Sequence, residues 1–224
     1  MADTDEASRK AFIRAHTRLE TASIVPEITL HLANEVMNLW SETEALSVAQ
    51  ASGLTNLPPP YWAFAWPGGQ AVARYILDRP EEFNGKSVLD FGAGSGLVAI
   101  AAAKAGAAPV VAAEIDLLAL SAIEMNAEAN GVFIEPMAND IIGTNRRWQI
   151  ILAGDMCYER PLAERLTQWL RQLAANGSRV LIGDPGRSYF PQGGVTKLAT
   201  YQVPTSRELE DRETRETSVY GLLP

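Results

Sequence analysis

The chain has 224 residues, 47% of them hydrophobic, which suits one globular domain with a substantial core. Its 19 basic and 27 acidic residues give a net charge of −8, which disfavours nucleic acid as a partner. The single cysteine, Cys157, excludes an intrachain disulfide and fits a reducing compartment. The longest apolar run is broken by polar and turn residues, so no membrane partner is expected, and the acidic N-terminus lacks a signal-peptide pattern. We expect a cytoplasmic protein and a monomer.

The N-terminal region, residues 1–57, is predicted to be a helical extension in front of a Rossmann-like core at 58–224 in the same single domain. Residues 5–20 have apolar positions near helical spacing. The segment 28–40 also has helical spacing, although its stretch I-T-L-H-L is equally compatible with a strand. The two histidines lie far from the glycine-rich stretch described below, and no metal site is expected.

An unusual aromatic segment follows at 57–69, L-P-P-P-Y-W-A-F-A-W-P-G-G, in which three prolines stiffen the approach to four aromatic residues. One interpretation is a hydrophobic plug over the sheet edge. The other is a pocket wall, because aromatic faces attract cations such as a sulfonium or an ammonium. In the second interpretation Tyr61, Trp62 and Phe64 contact the substrate and Trp66 contacts the cofactor.

A helix predicted over 70–77 leads to the central stretch at 87–97, S-V-L-D-F-G-A-G-S-G-L. A buried strand, a glycine turn and a helix over 98–105 are typical of a doubly wound α/β fold. The turn contains Gly92, Gly94 and Gly96. Their G-x-G-x-G spacing lacks the third glycine of a dinucleotide fingerprint. The pattern D-x-G-x-G-x-G instead resembles motif I of S-adenosylmethionine-dependent methyltransferases with a seven-stranded sheet, in which Asp90 and the glycine backbone would hold the cofactor's amino-acid end.

The second predicted strand, 109–113, ends at acidic residues. A carboxylate at Glu114 can accept hydrogen bonds from both ribose hydroxyls of the cofactor. Asp116 is the alternative for this role, although it better suits the N-cap of the helix predicted over 117–130. Ile115, between the two acids, is included among the expected cofactor contacts.

The third and fourth predicted strands, 132–137 and 148–153, are also followed by polar residues. Asn139 and Asp140 are expected either to contact the adenine or to form a turn. Active sites of open α/β sheets lie beyond the carboxyl ends of the strands. Asp155 is therefore predicted to meet the methyl acceptor.

The last predicted elements are a helix from Pro161, a fifth strand over 179–183, and an antiparallel edge pair over 195–203 and 216–222. The loop after the fifth strand faces the same edge as Asp155, and we assign its Asp184 and Arg187 to substrate binding. The charged run at 208–216, E-L-E-D-R-E-T-R-E, is interpreted as a solvated loop.

Several stretches together resemble the bacterial form of the electron transfer flavoprotein β-subunit lysine methyltransferases. They are V-P-E-I-T-L-H-L (25–32), P-P-Y-W-A-F-A-W-P-G-G-Q-A (59–71), motif I, N-D-I-I (139–142), D-M-C-Y (155–158), G-D-P-G-R-S-Y-F-P (183–191) and V-P-T-S-R-E-L-E-D-R-E-T-R-E-T-S-V-Y (203–220). The resemblance extends from about residue 14 to the C-terminus.

The resemblance implies methyl transfer from S-adenosylmethionine to lysines of the flavoprotein β subunit, with a ribosomal stalk protein as a further substrate of some relatives. Asp155 would orient the ammonium, and Tyr158 would pack beside the donor or bond to Asp155. A ribosomal-protein or small-amine N-methyltransferase of the same fold is the alternative. A dinucleotide oxidoreductase is disfavoured by the glycine spacing, and a non-catalytic binding protein by the intact motif I and Asp155.

Overall fold

The computed structural model describes residues 2–35, 39–41, 43 and 58–224. The N-terminal part contains α1 (Ala2–His16) and an antiparallel hairpin of β1 (Thr17–Ala22) and β2 (Val25–Ala33). The main sheet contains β3 (Val88–Phe91), β4 (Val110–Ala113), β5 (Glu135–Met137), β6 (Ile150–Gly154), β7 (Arg179–Asp184), β8 (Val195–Pro204) and β9 (Thr214–Leu222). Its order is β5-β4-β3-β6-β7-β9-β8, with every neighbouring pair parallel except the two that include β9. This is the predicted doubly wound, seven-stranded sheet.

Helices cover both faces of this sheet. They are α2 (Pro67–Asp78), α3 (Leu97–Lys104), α4 (Leu117–Ala129) and α5 (Arg160–Ala175), with a short α6 (Arg207–Glu210) between β8 and β9 and a 3-10 turn at Tyr61–Ala63. Side chains alternate between the faces, so Val88 packs in the cluster that includes α2 and α3, while Leu89 packs in the cluster that includes α5. Within the described residues, no helix combines the length and apolarity needed to span a membrane.

The N-terminal extension differs from the helix pair that apolar spacing favoured. The first helix ends at His16 instead of residue 20, and Leu19 lies on a strand with 52% of its surface exposed. In β2, Ile28 and Leu30 are both fully buried, the two-residue alternation of a strand. The strand alternative for I-T-L-H-L is therefore confirmed, and the strand extends over Val25–Ala33. In this part of the chain, residues 36–38, 42 and 44–57 lie outside the described residues.

Two buried amide side chains attach this hairpin to the core. Gln70 Oε1 accepts from the backbone N–H of Ile24 at 3.3 Å, while its Nε2 donates to the carbonyl of Ala65 at 2.6 Å. Asn126 Oδ1 accepts from the β2 backbone at 2.7 Å, while its Nδ2 donates to the carbonyl of Ser95 at 2.8 Å. The hairpin is thus connected to both the aromatic segment and the glycine turn.

The edge pair β8–β9 is longer than the strands beside it. Asp184 at the end of β7 is level with Ser218, whereas β8 and β9 continue to pair as far as Pro204 and Thr214. This projection carries α6 past the carboxyl edge of the sheet. The solvated-loop interpretation of 208–216 is therefore wrong, because its first residues are helical, its last residues are in β9, and Glu210 is buried.

Candidate active site

Asp155 lies directly after β6, buried and in a left-handed backbone conformation with φ of 58°. Its Oδ2 accepts hydrogen bonds from the backbone N–H groups of Gly68 at 2.5 Å and Gly69 at 3.1 Å, at the N-terminus of α2. Its Oδ1 accepts from Arg187 Nη2 at 2.7 Å and Nε at 3.1 Å. Both carboxylate oxygens are bonded, so the side chain is fixed at the carboxyl edge of the sheet.

Glycines allow α2 to approach Asp155 this closely. A Cβ atom on Gly68 would contact the carbonyl oxygen of Gly183 and lie 2.5 Å from Asp155 Oδ2. A Cβ atom on Gly154 would lie 2.7 Å from the backbone of Gly69. The W-P-G-G-Q stretch therefore brings a helix N-terminus, whose N–H groups favour anions, onto a carboxylate. The sequence indicated that this stretch is distinctive, but not that its glycines face those of β6 and β7.

Burial has the largest effect on the pKa of Asp155 and raises it to about 6. The Arg187 guanidinium opposes the effect of burial and lowers this pKa, whereas the carboxylates of Asp184 and Glu210 raise it further. Asp155 is consequently ionised at neutral pH, and its charge is shared between the helix N–H groups and one arginine.

Arg187 continues the network to Glu210, a residue that the sequence analysis missed. Its Nη2 lies 2.5 Å from Glu210 Oε1, and its Nη1 lies 3.2 Å from Oε2. Arg215 Nε donates to the same Oε2 at 2.9 Å. The Glu210 side chain is only 1% exposed. The residues next to Glu210 in sequence did not indicate this burial, because its partner Arg187 lies 23 residues away in the chain.

Asp184 shapes the loop that carries Arg187. Its Oδ1 accepts from the backbone N–H groups of Gly186 and Arg187, both at 2.7 Å. Its buried Oδ2 has no hydrogen-bond partner among the described residues. Burial raises the pKa of Asp184, opposed by the two N–H groups. Of the two residues assigned to substrate binding here, Arg187 lies against Asp155, and Asp184 holds the loop.

An aromatic cluster adjoins the network. The ring of Tyr61 lies 5.7 Å from that of Tyr158 and 5.9 Å from that of Trp66. The Trp66 ring lies 5.8 Å from Phe64 and has the guanidinium carbon of Arg187 at 5.9 Å from its centre. Tyr61 and Tyr158 are exposed, so the cluster presents aromatic surface to a ligand. The structure thus brings together the aromatic residues and the loop after the fifth strand.

The positions of Trp62 and Trp40 differ from what the pocket-wall interpretation predicted. Trp62 is 1% exposed and packs in the core with Ile13 and Leu118, as the plug interpretation expects. Trp40, not identified from the sequence, has its ring 5.6 Å from that of Tyr61. The plug interpretation therefore describes Trp62, and the wall interpretation stays a prediction for the rest of this segment.

The glycine turn forms the neighbouring part of the edge. Gly92, Gly94 and Gly96 have φ values of 65°, 51° and 79°, which favour glycine. Beneath them Asp90 is 2% exposed, and its Oδ2 accepts from the Ala99 N–H at 3.0 Å. Burial raises the pKa of Asp90 to about 8, so a bound cationic amino group would stabilise its ionised form.

The two acids after β4 have different roles. Asp116 caps α4, its Oδ1 accepting from the Leu118 N–H at 2.8 Å. Glu114 lies over the glycine turn, with Oε2 accepting from the Gly94 N–H at 3.0 Å. Ile115 is 73% exposed beside it. A carboxylate over a glycine turn fits a ribose diol, so these residues suit S-adenosylmethionine.

Asn139 and Asp140 lie after β5, and both are exposed. Asp140 Oδ1 accepts from the Ile142 N–H at 3.0 Å, and its Oδ2 pairs with Arg165 at 3.0 Å. Asp140 therefore stabilises a turn, which is one of the two roles expected from the sequence. Asn139 is exposed and available to a ligand. The part of the chain that the structure describes has no cluster of potential metal ligands.

Two cavities border the network around Arg187. One, of about 220 Å³, is lined by the hairpin turn, the aromatic segment and α6, and its charged lining residues among those described are the acids Glu20 and Glu210. The other, of about 240 Å³, is bordered by Tyr158, Arg187 and Arg215. In the first cavity, Glu20 is exposed, whereas the Glu210 carboxylate is bonded to Arg187 and Arg215.

Known proteins are similar to this chain in sequence. Residues 74–180 match the family model described as Ribosomal protein L11 methyltransferase (PrmA). The electron transfer flavoprotein β subunit lysine methyltransferase of Danio rerio is 40% identical over 219 residues, covering 94% of this chain and 82% of the relative. The Homo sapiens protein of that name is 37% identical over 223 residues, covering 96% and 82%.

A solved structure is similar in fold. The magnesium protoporphyrin IX methyltransferase of Synechocystis, determined with bound S-adenosylmethionine, has a TM-score of 0.52 at 18% identity and covers 69% of this chain and 79% of its own. The fold, the glycine turn and the near full-length relatives lead to one assignment. The chain belongs to the electron transfer flavoprotein β-subunit lysine methyltransferase family, whose members are S-adenosylmethionine-dependent protein-lysine methyltransferases.

Proposed function

We propose that this protein methylates lysine side chains of the electron transfer flavoprotein β subunit, in the cytoplasm. The observation that carries the proposal is the buried Asp155. Its partner Arg187 lies 5.9 Å from the Trp66 ring of the aromatic cluster, and its neighbour Met156 lies against Gly92 of the glycine turn. A carboxylate can bind the ammonium of a lysine, and aromatic faces attract the same cation. The relatives with this name match nearly the whole chain, including the hairpin and the β8–β9 projection.

In this reaction S-adenosylmethionine supplies a methyl group attached to a positively charged sulfur. The lysine nitrogen, once neutral, forms the new C–N bond as the methyl–sulfur bond breaks, and its surplus proton passes to water. The protein's main task is to hold the nitrogen in line, and positioning of this kind can contribute roughly 7–11 kcal/mol. We assign this positioning to Asp155, which is held on both oxygens.

The second task is to obtain a neutral amine. A free lysine has a pKa of about 10.4 and is mostly charged at neutral pH. Removal of water by the rings of Tyr61, Trp66 and Tyr158 would lower this value, whereas a carboxylate and the attraction of ring faces for a cation raise it. Asp155 is therefore an orienting group in this proposal, and the exclusion of water by the aromatic cluster is the effect that favours deprotonation.

A ribosomal protein is the second candidate substrate, because the matching L11 methyltransferase model covers residues 74–180. Those residues include the glycine turn and Asp155. They omit the hairpin, the aromatic segment and α6, which border the acidic cavity. The flavoprotein β subunit is favoured, since its methyltransferases match these parts as well.

The test is to incubate the protein with S-adenosylmethionine and the matching electron transfer flavoprotein, and to measure the intact mass of each subunit. We expect methyl-sized mass steps on the β subunit. Steps on ribosomal protein L11 alone would favour the second candidate. An unchanged β subunit, in the presence of confirmed cofactor binding, would contradict the proposed substrate.

Cofactor recognition by Glu114 can be separated from helix capping by Asp116. We expect Glu114→Ala to weaken S-adenosylmethionine binding about tenfold, the loss typical of one bidentate charged hydrogen-bond acceptor. Asp116→Ala is expected to keep the affinity and to lower the free energy of unfolding by about 1 kcal/mol through loss of the cap. Calorimetric titration and denaturant unfolding measure these effects. Equal affinities for Glu114→Ala and the wild type would remove the ribose role from Glu114.

A further inference from the structure

The buried carboxylate of Glu210 has no role in the mechanism above. It lies in α6, which the β8–β9 projection holds over the carboxyl edge of the sheet. Its two oxygens receive hydrogen bonds from two arginines, one of which also holds Asp155. Burial of a charged carboxylate such as Glu210 has a large desolvation cost, which its two arginine partners must offset.

Three acids and two bases make up this network. Arg187 bonds to both Asp155 and Glu210, and Arg215 bonds to Glu210. Asp184 is the third acid, and its charge also acts on Asp155. Loss of the Glu210 charge would leave the Arg215 guanidinium without the carboxylate it bonds to, and it would make the net charge of the network one unit more positive.

We propose that Glu210 is a positioning residue that balances the charge of Arg187 and Arg215, so that Asp155 can accept the ammonium of the substrate lysine. The inference rests on the proposed function, since it assumes a cationic amine as substrate. Arg187 has acids on both sides, so it can move its hydrogen bonds toward Glu210 while an ammonium approaches Asp155. Glu210 also lines the cavity of about 220 Å³ together with Trp66 of the aromatic cluster.

The test compares Glu210→Gln with the double variant Glu210→Gln/Arg215→Gln. The single change is expected to raise the KM for the flavoprotein roughly tenfold, the order expected for an unbalanced unit charge near the binding carboxylate. It is also expected to weaken binding of n-butylammonium to the S-adenosylhomocysteine complex by a similar factor, measured by tryptophan fluorescence. The affinity for S-adenosylmethionine is expected to stay unchanged. The double variant restores the net charge of the wild-type network and is expected to recover most of the lost amine affinity.

Glu213→Gln is the matched control, because Glu213 lies in the same connection and is an exposed acid paired with an exposed Arg207. It is expected to behave as the wild type in both assays. A purely structural role for Glu210 would make the double variant as weak as the single one or weaker, and this result would overturn the inference. Equal n-butylammonium affinity in Glu210→Gln and the wild type would also overturn it.

The n-butylammonium titration does not depend on the identity of the protein substrate. Suppose that the wild type fails to methylate the flavoprotein, but that the n-butylammonium affinities of the wild type and the variants differ as expected. The proposed substrate is then wrong and the role of Glu210 stands. If methylation proceeds and the variants do not differ, the proposed function stands and the role of Glu210 is wrong.

Discussion

Asp155→Asn is expected to lower kcat for methyl transfer by about 10²–10³-fold, the range seen when one preorganised electrostatic group is removed from an active site. Asparagine keeps the size of the side chain and can still accept the N–H groups of Gly68 and Gly69, but it removes the negative charge that would orient the lysine ammonium. Single-turnover kinetics with the flavoprotein substrate, followed by intact mass, measures the loss. The affinity for S-adenosylmethionine is expected to remain, because the glycine turn belongs to a different strand.

The chain provides a matched control for this variant. Asp211 is the other described non-glycine residue with a left-handed backbone, at φ of 56°, and it is exposed in the β8–β9 connection. Asp211→Asn makes the same chemical change in the same backbone conformation and is expected to retain full activity. Normal turnover by Asp155→Asn would show that Asp155 does not orient the amine.

Gly68→Ala is expected to be destabilising and to inactivate the enzyme. The new methyl group would lie 2.5 Å from Asp155 Oδ2, 2.7 Å from its backbone nitrogen, and in contact with the carbonyl oxygen of Gly183. Overpacking of this kind typically costs about 1–3 kcal/mol, which for a domain of this size lowers Tm by roughly 2–12 °C. This overpacking would distort the hydrogen bonds from Gly68 and Gly69 that hold Asp155. Thermal unfolding and methyl-transfer assays on the same preparation measure both effects.

Gly69→Ala is the control, one residue along the same helix. Its added methyl group would have Val98 Cγ2 as the nearest atom at 3.8 Å, an ordinary contact. Alanine is favoured over glycine within a helix by about 0.5–1 kcal/mol, so stability is expected to stay the same or rise slightly. If Gly68→Ala matched Gly69→Ala in Tm and activity, the close approach of α2 to β6 and β7 would not be required.

Local sequence patterns were sufficient for most of the architecture. The stretch around Asp90 combines a buried strand, a glycine turn and an apolar helix, and each depends on residues within a few positions of one another. The location of Asp155 followed from a general rule, since the carboxyl ends of parallel strands share one edge. The capping role of Asp116 was also predictable, because a cap bonds to its own helix two or three residues later.

Long-range contacts decided the remaining features. The strand β2 was ambiguous in sequence because its apolar residues satisfy two periodicities, and pairing with β1 selects one of them. Glu210 belongs to a charged run that is typical of solvent-exposed loops. It is buried only because β8 and β9 extend past the sheet and place it against Arg187, which belongs to another loop. Burial and charge pairing depend on neighbours in space, so they become visible only when the chain has folded.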